Sequence, residues 1–493
     1  MTDADEAEVT AWLAEQSDRT VETACARVFL TAGAAFKVKR RITLSYVDFS
    51  TPERRLWALE RELAFNQAGA PGVYRAIRRV TRAGSGGLEF DGAGEVLEYV
   101  LEMRRFDDRD VLAARPEAVD GPMADRLGRA IAGFHAGAPL RPQGGLASMR
   151  FTVGSNAGLL RELAPRLGTA RVEALIDLTE TELARQAPLL AARTAGGFSR
   201  RCHGDLHLGN ILVEDGHPIL FDCIEFSDLL SDVDVQYDLA FLLMDLDFRG
   251  RREAAVRVLS AYLDEAARSF PHGLWEGLAA LPLMLAVRAG VRAHVWAHSG
   301  DDAAALAYIE AGVAHLSPSP PRLVAVGGLS GSGKSSFARQ IAPALGASPG
   351  AVILRTDEVR KRLMGAAATA TLPPQAYAGE VTARTYDALL AEAAALLRAG
   401  RAVVLDATFL DAALRGRVAR LADDLRVPFE GVWLQAPPEV LEARVAARVG
   451  DASDATVQTL RDQLTRDPGA IDWTLVDAAA PSAAAAAAWT ARA

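Results

Sequence analysis

Cysteine is scarce in this sequence. Three occur in 493 residues, Cys25, Cys202 and Cys223, and no two form a C-x-x-C pair. So sparse and odd a set in so long a chain points to a reducing compartment. An excess of positive charge is also lacking: the net charge of −9 argues against a broad nucleic-acid-binding surface. The start, MTDADEAEVT, is acidic and lacks the basic and apolar segments of a secretory leader. Long hydrophobic runs are missing. The longest, near Gly277–Val287, is stopped by Arg288 and is too short to cross a bilayer. Together these absences imply a cytoplasmic protein without a membrane or nucleic-acid partner.

What is present is enough apolar material for more than one core. The chain is 50% hydrophobic and 24% charged, and its length predicts roughly two to four domains. SPSPPR at 317–322 cannot continue a helix, and beyond it LVAVGGLSGSGKSS opens a new strand. The expected domains are 1–316 and 322–493. In the first, VETACARVFL, AAFKVKR, GGLEFDG and EVLEYVLEMRRF read as strands, with a charged helix at PERRLWALERELAFNQ. A small strand-rich lobe (about 20–103) thus precedes a mostly helical one (about 104–316). The second domain alternates strand and helix: RLVAVGG, AVILRT, RAVVLDA and EGVWLQA read as buried strands of a parallel sheet. The Ala-rich end, AAAPSAAAAAAWTARA, reads as a peripheral helix or frayed tail.

The stretch from Gly328 through Ser335, GLSGSGKS, matches G-x-x-x-x-G-K-S without a gap, between a strand and a helix. Gly328, Gly331 and Gly333 let backbone N–H groups, with Ser336 beside them, turn toward phosphate oxygens. Lys334 would reach the β/γ-phosphates and Ser335 would hold Mg²⁺. Asp406 ends RAVVLD and suits a metal role. Asp357 follows AVILRT, where an acceptor hydroxyl would lie, and suits a general base; a helix cap is the alternative for each. Arg444 and Arg448 share a helical face before a loop and could close over the phosphates, or be simply solvated. Arg360, Lys361 and Arg362 could bind an anionic substrate, but exposed charges are the simpler expectation. Over about 322–475 the domain resembles the small P-loop kinases, including the gluconate-kinase-like and zeta-toxin-like groups. The resemblance implies transfer of the ATP γ-phosphoryl group to a small acceptor.

In the first domain, HGDLHLGN at 203–210 poses the sharper question. A zinc site on His203 and His207 lacks further ligands and the usual helix. A kinase-type loop explains more: Asp205 as base, Asn210 five residues on for Mg²⁺, and Asp222 after the next strand for Mg²⁺. A hairpin through the E-D-G turn would put Asn210 and Asp222 side by side. HGDLHLGNIL…ILFDCIEF resembles the aminoglycoside phosphotransferase family, a small-molecule branch of the protein-kinase-like fold. The resemblance implies that Asp205 is the base, that Asn210 and Asp222 bind metal, that His203 supports the loop and that Asp238 holds it. It also implies a strand lysine paired with a helix glutamate: Lys37, with Lys39 as second choice, and Glu62 before Glu60. LEYVLEM would be the hinge that meets adenine, and Glu225 would lie near the metal or merely be exposed. One departure stands out: no G-x-G-x-x-G precedes the lysine strand, only TAGAA.

The expected fold is therefore an α+β two-lobed kinase-like domain followed by an α/β P-loop domain. The combination resembles bacterial proteins in which a phosphotransferase-like domain is fused to an ATP-binding one. The expected partners are ATP, Mg²⁺ and small-molecule acceptors. The competing expectations are one catalytic domain regulated by nucleotide at the other, and an ATP-dependent binding or toxin-like module. No motif encodes the acceptors or the oligomeric state.

Overall fold

The computed structural model describes residues 3–23, 25–44, 47–67, 69–447, 452–479 and 482–491. Its chain falls into two compact units. The first runs up to Ala118 and adds Gly137–Thr152 and Gly197–Asp238. The second takes Val119–Ala136, Val153–Gly196 and everything from Leu239 onward. The Ser/Pro stretch at 317–322 thus lies inside the second unit.

The first unit carries a six-stranded sheet in the order Arg19–Glu22, Ala26–Leu30, Ala34–Lys39, Val96–Arg104, Tyr74–Arg82, Leu88–Phe90. Neighbouring strands are antiparallel. Alternation splits the Ala34–Lys39 strand between two faces. Phe36 and Val38 pack with Val9, Leu13 and Trp12 of the helix Asp3–Glu15. Ala35 packs with Leu59 of the helix Pro52–Asn66 on the other face, which is also the face of Lys37 and Lys39. That helix starts where the sequence says it should: Thr51 accepts from the Arg54 N–H, and Pro52 stands at the first position. Arg55 in its first turns is fully buried and donates from Nε to Glu98 at 2.9 Å.

LEYVLEM does not form a hinge. It is the interior of the strand Val96–Arg104, bonded to Tyr74–Arg82 along one edge and, over Leu101–Arg104, to Ala34–Lys37 along the other. Its backbone groups are therefore largely committed to the ladder, and the chain leaves the sheet only after Arg104. The E-D-G hairpin is present: Ile211–Glu214 pairs with His217–Leu220. Asp215 and Gly216 turn it with φ of 48° and 75°, the positive pair that a two-residue hairpin loop requires.

The second unit contains a five-stranded sheet in the order Val352–Arg355, Val403–Asp406, Leu323–Gly328, Phe429–Gln435, Thr474–Asp477. All neighbours are parallel. The strand leading into the glycine turn is central and buried at every position. Helices from before residue 317 share the core of this sheet. Val256 of the helix Arg252–Ala266 sits in one apolar cluster with Val324, Phe337 and Ile353. The Ser260 hydroxyl accepts from the Ile353 N–H at 3.2 Å. Gly350 makes this closeness possible. Its φ is 145°, and a Cβ there would stand 2.8 Å from Val256 Cγ2.

Two sequence expectations change here. Of the two readings of the Ala-rich end, the helix holds but not its peripheral place: Ser482–Thr490 is a helix whose Trp489 is buried. Its ring meets Phe337 edge-on at 6.1 Å, and its Nε1–H donates to Glu430 at 2.6 Å. The apolar run near 277–287 also continues past Arg288 in the helix Leu281–His298. With the preceding turn it makes 23 residues, long and apolar enough by composition to cross a membrane, but 67% of the most apolar window is buried inside the protein. Arg288 fits there because its guanidinium lies over the Phe241 ring at 4.6 Å.

Candidate functional site

The first cluster forms where the hairpin meets the small sheet. Phe221 N–H donates to the Asn210 carbonyl at 3.1 Å, so the hairpin's open end sets Asn210 beside Asp222. The Asn210 amide nitrogen donates to the Asp205 carboxylate at 3.0 Å and to the Asp205 carbonyl at 2.9 Å. Asp238 braces the loop from the helix Val235–Phe248, accepting from the N–H of His203 at 3.1 Å and of Gly204 at 2.8 Å. His203 is fully buried. Its Nδ1 accepts from Asp205 N–H at 3.3 Å, so Nε2 carries the proton donated to the Phe221 carbonyl at 2.8 Å. Burial lowers its pKa and keeps the ring neutral, as a scaffold. His207 likewise accepts from Gly209 N–H at 3.0 Å, which fixes the turn into the hairpin.

Lys37 lies between two carboxylates, Glu62 at 2.6 Å and Asp222 at 2.8 Å. Burial opposes its charge, but Asp222 and Glu62 outweigh burial and hold its pKa well above the usual lysine value. Burial likewise works against the Asp222 carboxylate, and Lys37 overcomes it, so Asp222 sits below the usual range. Glu62 is fully buried and Glu60 is exposed, so the helix presents Glu62. Lys39 is no bystander: it holds Glu62 at 2.7 Å and Glu225 at 2.5 Å. Glu225 is 3% exposed, so the expectation of an exposed side chain fails. Among the described residues, no glycine-rich loop covers the lysine strand. A tight hairpin takes its place, with Thr31 N–H bonded to the Ala34 carbonyl at 2.9 Å.

The donor set suits a hard divalent cation. The Asp222 side chain is 46% exposed, and with the Asn210 nitrogen committed to Asp205 the amide oxygen is the group left to meet a metal.

The second cluster stands at the C-terminal edge of the parallel sheet, beside the central strand whose two neighbours derive from later chain segments. Gly328 and Gly331 have φ of 136° and 83°; a Cβ at either would collide with a carbonyl, Leu434 at 2.4 Å or Leu441 at 2.6 Å. Gly333, at φ 88°, precedes the helix Lys334–Ile341. The Ser335 hydroxyl donates to Asp406 at 2.6 Å, the hydroxyl–carboxylate pair that a Mg²⁺ site needs. Lys334 Nζ lies against the Leu329 carbonyl at 2.8 Å, over the turn. A cleft of about 930 Å³ opens here, lined among others by Lys334, Ser336, Asp357, Tyr377, Asp406 and Arg444. Neither aspartate caps a helix. Asp406 closes its strand, and Asp411 caps the next helix; Arg355 occupies the cap position before Asp357. Burial pushes the Asp357 carboxyl up, with Arg355 opposing it.

Sequence reasoning missed Arg355. It donates from Nε to Asp406 at 3.1 Å and from a terminal nitrogen to Ser335 Oγ at 3.1 Å. The signal was its place at the end of Val352–Arg355, in register with Asp406 on the neighbouring strand. A Mg²⁺ ion held by Ser335 and Asp406 would share them with this guanidinium.

Arg444 lines the cleft but donates to the Ala478 carbonyl at 2.7 Å. Arg448 lies outside the described residues. The expectation of exposed charges at 360–362 fails, because their helix packs against its surroundings and each finds a partner. Arg360 donates to the Ala376 carbonyl at 2.8 Å, Lys361 pairs with Asp454 at 3.1 Å and Arg362 with Asp264 at 2.5 Å. Arg355 also approaches Glu358 at 3.6 Å, and Glu358 meets Arg129 at 3.3 Å.

Fold and sites together define a kinase-like phosphotransferase region joined to a P-loop region. The phosphotransferase enzyme family model matches residues 58–281, and the AAA domain model matches 323–467. The uncharacterized protein Rv2004c of Mycobacterium tuberculosis is 31% identical over 458 residues, 89% of this chain and 87% of that protein. The uncharacterized protein Mb2027c of Mycobacterium bovis matches to the same extent. The chain belongs to the family of these mycobacterial proteins. Among solved structures, a gluconokinase from Sinorhizobium meliloti 1021 is 26% identical, covering 36% of this chain and 94% of its own, with a TM-score of 0.25. A choline kinase from Cryptosporidium parvum Iowa II is 11% identical, covering 62% and 93%, with a TM-score of 0.40.

Proposed function

We propose that this chain is a cytoplasmic, ATP-dependent phosphotransferase with two nucleotide sites, each passing the γ-phosphoryl group to a hydroxyl of a small molecule. One observation carries the reading: each cluster combines a lysine, a pair of oxygen donors and a separate aspartate. In the first, Lys37 is the phosphate ligand, Glu62 holds it, and Asp205 takes the acceptor's proton. Asn210 keeps the Asp205 carboxylate oriented at 3.0 Å. In the second, the Gly328–Gly333 turn and Lys334 bind phosphate and Asp357 takes the proton. Its burial, which raises its affinity for that proton, suits the task. Mg²⁺, held by Asn210 and Asp222 in one site and by Ser335 and Asp406 in the other, supplies neutralisation of the phosphate charge.

A second reading, nucleotide at the P-loop tuning the phosphotransferase region, is favoured by the chain of contacts from Asp406 through Arg355 and Glu358 to Arg129. An ADP-release screen with sugars, amino sugars, aminoglycosides and nucleosides tests both. Two products, one lost in Asp205→Ala and the other in Lys334→Ala, support two independent enzymes. One product, altered in affinity by Lys334→Ala, supports regulation. No ADP release from any acceptor sinks the kinase reading.

A further inference from the structure

Lys39 has no evident place in a one-lysine phosphate site. Its side chain is 3% exposed, so it cannot reach a nucleotide. Its position follows from strand alternation, two residues after Lys37 and on the same face. The Glu62 carboxylate is divided between the two lysines: Oε1 on Lys37 at 2.6 Å, Oε2 on Lys39 at 2.7 Å. Lys39 then grips Glu225 at 2.5 Å, and the Phe49 ring closes over its ammonium at 5.5 Å. Glu225 stands three residues beyond Asp222, on a segment pinned by Ile224 N–H to the His203 carbonyl at 2.9 Å. A parallel tie runs from the same helix that carries Glu62: Arg61 Nε donates to the Glu225 carbonyl at 2.8 Å.

Lys37 has to change partner for the hairpin site to work. It now holds Asp222, which is also the carboxylate for the metal. With phosphate and Mg²⁺ bound, Lys37 would turn from Asp222 to phosphate oxygens while staying on Glu62, so Asp222 would lose its cation and Glu62 would share Lys37 with the phosphate. We propose that Lys39 and Glu225 are positioning residues that keep Glu62 and the Asp222 segment in register through this exchange. Lys39 anchors the oxygen of Glu62 that Lys37 does not use. Glu225 ties that anchor to the segment carrying the metal carboxylate. The arrangement rests on the reading of the hairpin cluster as a nucleotide site. It predicts that loss of a fully buried ion pair, away from the phosphates, is felt as weaker binding of phosphate and metal. A bond that served only the fold would change stability alone.

The test uses the full chain carrying Lys334→Ala, so that the hairpin site reports nucleotide by itself. MgATP is titrated by calorimetry, Mg²⁺ is titrated at fixed ATP, and the thermal midpoint is recorded. Lys39→Met combined with Glu225→Gln removes both charges together. It is expected to weaken MgATP binding about 10- to 100-fold, the range for groups that orient a metal's ligands. It should also raise the Mg²⁺ needed for half-maximal binding. Lys39→Arg is expected to restore most of the affinity. Should the double variant not fold, Glu225→Asp keeps the charge and withdraws it by one methylene, and a several-fold loss of MgATP affinity is expected. Unchanged MgATP and Mg²⁺ dependence in folded variants overturns the proposal and leaves the hairpin reading standing. Absence of MgATP binding in the Lys334→Ala parent overturns that reading, and the proposal with it.

Discussion

The hairpin cluster draws Lys37, Glu62, Asp205, Asn210 and Asp222 from scattered segments, with Lys37 and Asp222 separated by 185 positions. The P-loop cluster takes Gly328 through Ser335 from a single turn and adds Asp406 from a neighbouring strand. In the first, every cation depends on a carboxylate that folding must deliver. In the second, the phosphate cradle is main chain, and the glycines are there because a Cβ would strike the Leu434 or Leu441 carbonyl. The contrast teaches where each site is vulnerable: the hairpin cluster through its ion pairs, the P-loop through its backbone.

The contrast can be broken most forcefully at Glu62. Glu62→Ala leaves Lys37 and Lys39 buried without their shared carboxylate, and removing one partner of a buried pair costs about 3–5 kcal/mol. Urea unfolding should show a loss of that order. A loss under about 1 kcal/mol would mean that the ion pairs do not hold the first unit together.

The next effect concerns Glu358, in the second unit. Burial pushes its pKa up to about 7, with Asp264 and Asp125 adding to it and Arg355 and Arg129 opposing it. A carboxyl with a raised pKa binds its proton more tightly in the folded state than in the unfolded one. Its contribution to stability is therefore present at low pH and is lost as pH rises from about 4.5 through about 7. Glu358→Gln should flatten that part of the urea midpoint's pH profile. An unchanged profile would show that Glu358 is not the titrating group.

The smallest effect is expected at Ser335. Ser335→Ala deletes one hydroxyl from the start of the helix Lys334–Ile341, just after the turn that the backbone builds, and about 1 kcal/mol of stability should be lost. A cost equal to that of Glu62→Ala would erase the distinction between the two clusters.

Legibility in the sequence follows the same division. The glycine turn, the HGDLHLGN loop and the E-D-G hairpin were readable because local chemistry sets them. Asp215 and Gly216 need positive φ, and the hairpin register then fixes Asn210 beside Asp222. Arg355 was not read as a site residue, and Glu225 was left between a place near the metal and an exposed one, because their partners arise only when distant strands or loops meet. The strand Tyr74–Arg82, with arginines at 75, 78, 79 and 82, hid its sheet pattern behind charges that pair across strands, as Arg78 does with Glu102 at 3.0 Å. The Ala-rich C-terminal helix offered no amphipathic stripe, and Trp489, with Ala486, anchors it in the core. The packing of pre-317 helices onto the P-loop sheet, with Val256 among its core residues, is equally a product of tertiary contact.

The central claim is that one chain binds two nucleotides. Equilibrium dialysis with a non-hydrolysable ATP analogue and Mg²⁺ measures it directly. The account predicts two molecules bound per wild-type chain, one in Lys334→Ala and one in Asp222→Ala. A single molecule per wild-type chain, lost completely in either variant alone, would contradict it.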